Sequence, residues 1–348
     1  MTVTATTFSL VPLLAKAVRG VDLTAAEARD AFGHIVSGDA SQVTTGGLLA
    51  ALQTKGLAPS EIAGGVEALR AAMIPVPAPD PDGLVDTCGT GGGGTSTFNI
   101  STAAALVAAA GGVRVAKHGN RSFTSRCGSA DVLEALGVEV ELLPEGMAAV
   151  LAETGIVFMF APLLHPAMRH VGPVRQALGI TTIMNLLGPL ANPAGARRQV
   201  VGVADPDFVD LVVRGLAALG HERALVVHGA PGMDEVSPCG ATRVAELRGG
   251  AVSSYEVTPG ELGVEAVDPD ELAGGEPDEN AAVVRAVVTG EDRGAGRSAV
   301  LVNAAAAFLV AGRVDSLAEG VAAGARAIDS GAAAAVLDDL VRASRAAR

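Results

Sequence analysis

The sequence predicts an α/β protein with a small N-terminal helical domain and a larger α/β domain built on a mainly parallel central sheet. Three observations carry this. Apolar residues recur at helical spacing through the first 73 residues, a proline-rich break follows, and short β-branched runs then alternate with alanine-rich helical ones. A chain of 348 residues also suits two domains.

The helical blocks read as 8–18, 25–36, 43–55 and 59–73. Thr24, followed three residues later by Glu27, and Ser60 are expected N-caps, and Gly20, Gly38 and Gly56 expected stops. Residues 74–83, IPVPAPDPDG, hold four prolines and two aspartates and are expected to be an irregular linker. Beyond it, strands are expected at 84–87, 113–116, 156–160, 199–203 and 223–227, and helices at 100–110, 130–136, 145–153 and 206–219. Residues 163–194 break the alternation and are expected to join domain 1–73 in space, leaving 84–348 as the α/β domain. Residues 252–275 read as a β-rich excursion with turns and 281–348 as helical throughout.

Composition removes several classes of function. Lys and Arg number 25 against 38 Asp and Glu, a net charge of −13, which disfavours a nucleic-acid binder or a protein held to anionic membranes. With no Trp and one Tyr, there is no stacking platform for single strands. Three cysteines, Cys88, Cys127 and Cys239, without CxxC spacing, make neither a disulfide framework nor a zinc site. They fit a reducing cytoplasm. The first twenty residues lack a charged n-region and a long apolar stretch, so no signal peptide is expected, nor any membrane span.

The acids are unevenly spread. Residues 87–130 and 154–204 contain no Asp or Glu, yet keep Arg114, Lys117, Arg121, Arg126, Arg169, Arg175, Arg197 and Arg198. Burial of βα segments explains missing acids but not retained bases. Two basic faces directed at a polyanionic ligand explain both.

Residues 86–102, DTCGTGGGGTSTFNIST, place five glycines between a predicted strand and a predicted helix. Glycine permits close backbone approach, and successive N–H groups with a helix N-terminus make an anion cradle. Gly89, Gly91 and Gly94 formally match GxGxxG, but the next acid is Asp131, far beyond the ribose-binding position; no GK[ST] exists for a P-loop. Residues 117–137, KHGNRSFTSRCGSADVLEALG, follow the second strand with Lys117, Arg121 and Arg126 for charge and His118, Asn120, Ser122, Thr124, Ser125 and Ser129 as donors. That density suits phosphate. His118 beside Lys and Arg has its charged form disfavoured and reads as a neutral contact. In the loop HGAPGMDEVSP, 228–238, the adjacent carboxylates Asp234 and Glu235 read either as solvated surface or, if the loop faces the glycines, as Mg²⁺ ligands completed by substrate phosphates.

These motifs, with HPAMRHVGPVRQALGITTIMNLLGPLANP and LVNAAAAFLVAG, resemble over nearly the whole chain the anthranilate phosphoribosyltransferases of tryptophan biosynthesis, a fold shared in outline with the pyrimidine nucleoside phosphorylases. The resemblance implies transfer of phosphoribosyl from 5-phosphoribosyl 1-pyrophosphate (PRPP) to the amine of anthranilate, in a homodimer formed through the helical domain. It implies PRPP contacts from Gly89, Gly92, Gly93, Thr97, Asn99, Ile100, Ser101, Thr102, Lys117, His118, Gly119, Asn120, Arg121, Ser122, Phe123, Thr124, Ser125 and Ser129. Mg²⁺ would be held by Ser101, Asp234 and Glu235, and anthranilate by Gly89, Asn120 and Arg175, with His118 and His165 nearby. One departure stands out: the family loop usually reads GTGGD, and Gly93 occupies the position of that Asp. Three rivals remain at this level: a nucleoside phosphorylase, a non-catalytic phosphosugar- or nucleic-acid-binding relative, and a transferase for another aromatic amine.

Overall fold

The computed structural model describes residues 8–122 and 126–348. Helix α1 (Val11–Val18) carries Pro12 in its first turn, where the missing N–H costs nothing. In α2 (Ala25–Val36) the Thr24 hydroxyl accepts the Glu27 N–H, and the Glu27 carboxylate accepts the Thr24 N–H at 2.8 Å, a reciprocal cap. Helix α3 (Gln42–Lys55) is capped by Ser41 and ends at Gly56, whose φ of 88° suits glycine. Helix α4 (Pro59–Ala72) begins on Pro59, so Ser60 is not its cap. The Ser60 hydroxyl instead donates to the Leu23 carbonyl at 2.7 Å. Glu61, fully buried, accepts the N–H groups of Leu23 and Ala58 and pairs with Lys55 at 2.9 Å. Each lone pair of the buried carboxylate thus finds a donor.

The chain then runs through β1 (Leu84–Gly89), α5 (Ile100–Ala110), β2 (Arg114–Gly119), α6 (Ser129–Ala135), α7 (Pro144–Thr154), β3 (Ile156–Phe160), α8 (Ala161–Leu164), α9 (Gly172–Leu178), α10 (Ile183–Leu190), β4 (Arg198–Gly202), α11 (Phe208–Ala218), β5 (Arg223–Gly229), β6 (Thr242–Arg248), β7 (Ala251–Val257), α12 (Pro277–Thr289), α13 (Ala295–Val310), α14 (Leu317–Asp329) and α15 (Ala332–Ala346). Residues 74–83 are irregular except for one 3₁₀ turn, Pro81–Gly83. Strand β6 has no counterpart among the expected strands, because Arg243, Glu246 and Arg248 interrupt its apolar residues and hide the alternation. Within 252–275 the strand is β7, all but its first residue; turns and a 3₁₀ segment, Pro269–Leu272, make up most of the rest.

Among the described residues, those of 8–73 and 165–191 form one compact unit, and those of 74–164 with 192–348 the other. In the first, Arg70 donates to the Leu190 carbonyl at 2.9 Å, tying α4 to the end of α10. In the second, seven strands stand in the order β3-β2-β1-β4-β5-β6-β7. The first five are parallel, and β6 and β7 add an antiparallel edge. Helix α13 is buried over nearly its whole length, and its small residues let neighbours approach closely: a Cβ on Gly320 would lie 2.7 Å from the Ala305 Cα. Since β2 and β4 flank β1, the order of building reverses at β1. In open α/β sheets the crevice at the carboxyl ends beside such a reversal is where ligands bind.

Candidate active site

The predicted loops leave the carboxyl ends of β1, β2 and β5, all on the crevice side of the second unit. Past Gly89 the glycine loop turns through Gly91 and Gly92 at φ of 67° and 78°, a region that L side chains rarely adopt. It lies on the loop after β5: the Gly91 N–H donates to Asp234 Oδ2 at 2.9 Å and the Gly94 N–H to the Gly232 carbonyl at 3.1 Å. A Cβ on Gly89 would come within 2.5 Å of Asp234 Oδ2, and one on Gly202, at the end of β4, would overlap the Asp234 backbone. Two of these glycines are therefore required by the seat of Asp234.

Glu235 faces the start of α5, where its Oε1 accepts the Ser101 N–H at 3.1 Å. Burial, and then the charge of Asp234, push its carboxyl up to about 8. Opposite, the buried Lys117 ammonium donates to the Thr87 carbonyl at 2.5 Å and to Ser101 Oγ at 3.2 Å. Burial lowers its pKa, and the charges of Asp86, Cys88 and Glu235 act against that. Asp86 is also buried, accepting the His118 N–H at 3.0 Å and the amides of Asn192 and Gln199 at 2.8 and 3.2 Å. The expected ligand trio thus has two members in contact, Ser101 and Glu235, with Asp234 adjoining on the glycine side.

The loop after β2 is folded tightly: a Cβ on Gly128 would lie 2.3 Å from the Ser122 nitrogen. Asn120 bonds through its carbonyl to the Ser129 hydroxyl at 3.2 Å. A Cβ on Gly119 would meet Ser129 Oγ at 2.3 Å. Phe123, Thr124 and Ser125 lie outside the described residues. Arg121 is committed elsewhere: its guanidinium forks onto Glu134, pairs with Asp131 at 3.0 Å and lies 5.3 Å above the Phe160 ring.

The expectation that the bases of the acid-free windows face a polyanion fails for three arginines. Arg114 and Arg198 stand at the amino ends of β2 and β4, away from the crevice, and Arg197 immediately precedes β4. Arg114 reaches the Pro79 carbonyl and Asp80, Arg197 the Gly220 carbonyl and Asp82, and Arg198 Glu222 at 2.7 Å. These bases are retained for acids supplied by neighbouring strands and loops. Lys117, at the carboxyl end of β2, and Arg121 and the exposed Arg126 in the loop that follows it are on the crevice side of this unit.

Arg175 and His165 belong to the helical unit. Arg175 is half-buried, which lowers its pKa, and among the described residues it makes no ion pair. His165 is buried and held to about 4 by that burial, so its ring is neutral at physiological pH.

Two supports escaped sequence reasoning. Asn303 on α13 grips Val236, accepting its N–H and donating to its carbonyl, both at 2.9 Å. Asn99 is held from α12: Asn280 Nδ2 donates to Asn99 Oδ1 at 2.9 Å. For Asn303 the signal was a polar residue interrupting an apolar run expected to be helical; Asn280 stands just before the expected helical stretch 281–348 and carried no such signal.

Comparison with known proteins agrees with this arrangement. Residues 11–73 match the helical bundle domain of a glycosyl transferase family, and residues 81–334 match the α/β domain of a glycosyl transferase family. The anthranilate phosphoribosyltransferase of Rubrobacter xylanophilus is 51% identical, the match covering 95% of this chain and 96% of that protein. That of Azorhizobium caulinodans is 48% identical over 96% of each. The crystal structure of the Thermus thermophilus enzyme superposes with a TM-score of 0.90 at 45% identity, covering 95% of this chain and 99% of that one. The Saccharomyces cerevisiae enzyme in complex with PRPP and Mg superposes with a TM-score of 0.88 at 27% identity, covering 97% and 98%. On full-length similarity, shared fold and the loops at the sheet reversal, this chain belongs to the anthranilate phosphoribosyltransferase family.

Proposed function

We infer that this chain transfers the phosphoribosyl group of PRPP to the amine of anthranilate, giving N-(5-phosphoribosyl)anthranilate and pyrophosphate, as a step of tryptophan biosynthesis. The observation that carries the reading is the glycine loop seated on Asp234, with Ser101, Lys117 and Glu235 in one hydrogen-bonded group at the sheet reversal.

The glycine loop, the start of α5 from Asn99 to Thr102 and the loop after β2 are assigned to PRPP. A phosphate monoester carries about −1.5 to −2 at neutral pH, so Lys117, buried close to Glu235, gains a partner of opposite sign when the substrate enters. The donor set fits Mg²⁺: Asp234, Glu235 and the Ser101 hydroxyl are hard oxygen donors, and two adjoining carboxylates, one buried with its pKa raised, are relieved by a cation. When bound, that ion would neutralise charge developing on the leaving pyrophosphate.

The sugar carbon passes through a cationic, oxocarbenium-like stage, and its attacker is a neutral aniline nitrogen that needs no strong base. Catalysis then rests on orientation and on charge placed where the leaving group departs. The Arg175 guanidinium is assigned to the anthranilate carboxylate, a pairing its planar fork suits. Gly89, Asn120, His118 and His165 complete that proposed subsite.

A homodimer through the helical unit is part of the proposal, supported by exposed Val11, Val18 and Val43 on α1 and α3. Sedimentation velocity giving a monomer at micromolar concentration would remove it. A cytoplasmic location is likewise proposed; no helix among the described residues is long and apolar enough to cross a membrane.

The deciding experiment follows anthranilate fluorescence with PRPP and Mg²⁺, against a protein background without Trp. PRPP-dependent loss of the signal is expected. Folded protein that leaves the fluorescence unchanged refutes the reading.

A further inference from the structure

Asparagine is a favoured N-cap because its side chain can accept the first free N–H groups of a helix. Asn99 stands at the N-cap of α5, yet its side chain makes no cap bond there. It is drawn away from the helix. Its Nδ2 donates to the Cys127 carbonyl at 3.2 Å, and its Oδ1 accepts from Asn280 Nδ2 at 2.9 Å and from the Cys127 thiol at 3.3 Å. Asn280 is 2% exposed, and its Oδ1 accepts the Gly275 N–H at 2.7 Å. The chain just before α12 runs along the end of the glycine loop: the Phe98 N–H donates to the Leu272 carbonyl and the Gly274 N–H to the Ser96 carbonyl. A Cβ on Gly274 would lie 2.4 Å from the Thr97 carbonyl oxygen. Two carboxamides in series, Asn280 and Asn99, therefore join three segments: the strap before α12, the end of the glycine loop, and the end of the loop after β2.

We propose that Asn280 is a positioning residue for the phosphoribosyl donor, holding the Asn99 side chain off its own helix and locking the two PRPP loops in one arrangement. If released, Asn99 can rotate to cap α5, taking the Ser101 N–H that Glu235 now accepts and slackening the link to Cys127. Asn280 itself touches no reacting atom. The proposal rests on the functional reading above for its effect on PRPP, but the clamp is a property of the protein alone and can be tested separately.

The experiment compares the full-length protein with N280A and N280D. Asp keeps the size of Asn280 and the acceptor for Gly275, but cannot donate to Asn99; a purely structural role at Gly275 is therefore rescued by N280D, and the positioning role is not. Expected for both variants is a rise of tenfold or more in KM for PRPP, with KM for anthranilate within twofold of the parent. Site-resolved alkylation, read by mass spectrometry, is expected to label Cys127 at least fivefold faster in both variants, with Cys88 and Cys239 unchanged. Rescue by N280D, or KM for PRPP within twofold of the parent in both variants, overturns the proposal. So does equal acceleration at all three cysteines, which marks general loosening. If the parent shows no PRPP-dependent consumption of anthranilate, the functional reading fails, and the Cys127 rates in N280D by themselves decide whether the clamp exists.

Discussion

At the scale of single residues, the acidic pair and the glycines beneath it are one construction. Glu235→Gln keeps an acceptor for the Ser101 N–H but removes the carboxyl that a bound cation would ionise. Turnover is expected to fall on the order of 10²-fold, typical for loss of one electrostatic stabiliser of a transition state, while KM for anthranilate stays within twofold. Equal losses in both, measured by steady-state kinetics, would indicate a folding defect instead. Gly93 answers to the same geometry. A Cβ there would lie 3.0 Å from the Gly232 carbonyl and 3.5 Å from Asp234 Oδ1, so Gly93→Asp sets a third carboxylate beside Asp234. Titrating Mg²⁺ in the fluorescence assay should show the half-maximal concentration displaced at least threefold, and an unchanged curve would mean that Gly93 has no bearing on metal dependence. That Lys117 and Ser101 belong to one polar group was legible because both of their segments are dense in donors. The commitment of Arg121 to Asp131 and Glu134 was not, because those acids lie ten and thirteen positions on and only the fold of the loop brings them back.

At the scale of elements, helices outside the sheet decide where the loops stand. Asn303 on α13 replaces a strand neighbour for Val236, satisfying both backbone groups directly after Glu235. Asn303→Ala leaves two buried backbone groups without that partner and should cost about 2–3 kcal/mol. Denaturant unfolding checks the stability; a midpoint equal to the parent's would show that water replaces the amide at no cost. The expected helices at 25–36 and 100–110 coincide with α2 and α5, since amphipathic periodicity or an unbroken alanine-rich run is local information. Ser60 misled because Pro59 supplies a better first helical residue, and β6 was missed because its charged residues are satisfied by neighbours on other elements: Arg243 by Asp210, and Glu246 by Arg223 and Tyr255. No window of sequence contains those partners together.

At the scale of the whole molecule, the helical unit carries its own pH dependence. His165 titrates near 6.5 when unfolded and near 4 when folded, because burial penalises the imidazolium. Its contribution to stability is complete above pH 6.5 and is lost as the pH falls from 6.5 towards 4, approaching about 3 kcal/mol at ~1.4 kcal/mol per pKa unit. Thermal melts of the parent and His165→Asn between pH 7.5 and 4.5 should converge as the pH falls; parallel curves would show that His165 titrates normally. Charge organisation changed most between sequence and structure. Arg114, Arg197 and Arg198, from the acid-free windows, serve acids away from the crevice, leaving Lys117 as the buried cation of this α/β unit's site. The sequence by itself determined the βα alternation, the glycine loop and the family, because periodicity, turn chemistry and motif order are local or collinear properties. Only the tertiary structure decided which charges face the crevice and which carboxamides, Asn280 and Asn303, hold its walls. Those contacts join residues 181 and 67 positions apart, and their pairing depends on where the sheet order brings the loops.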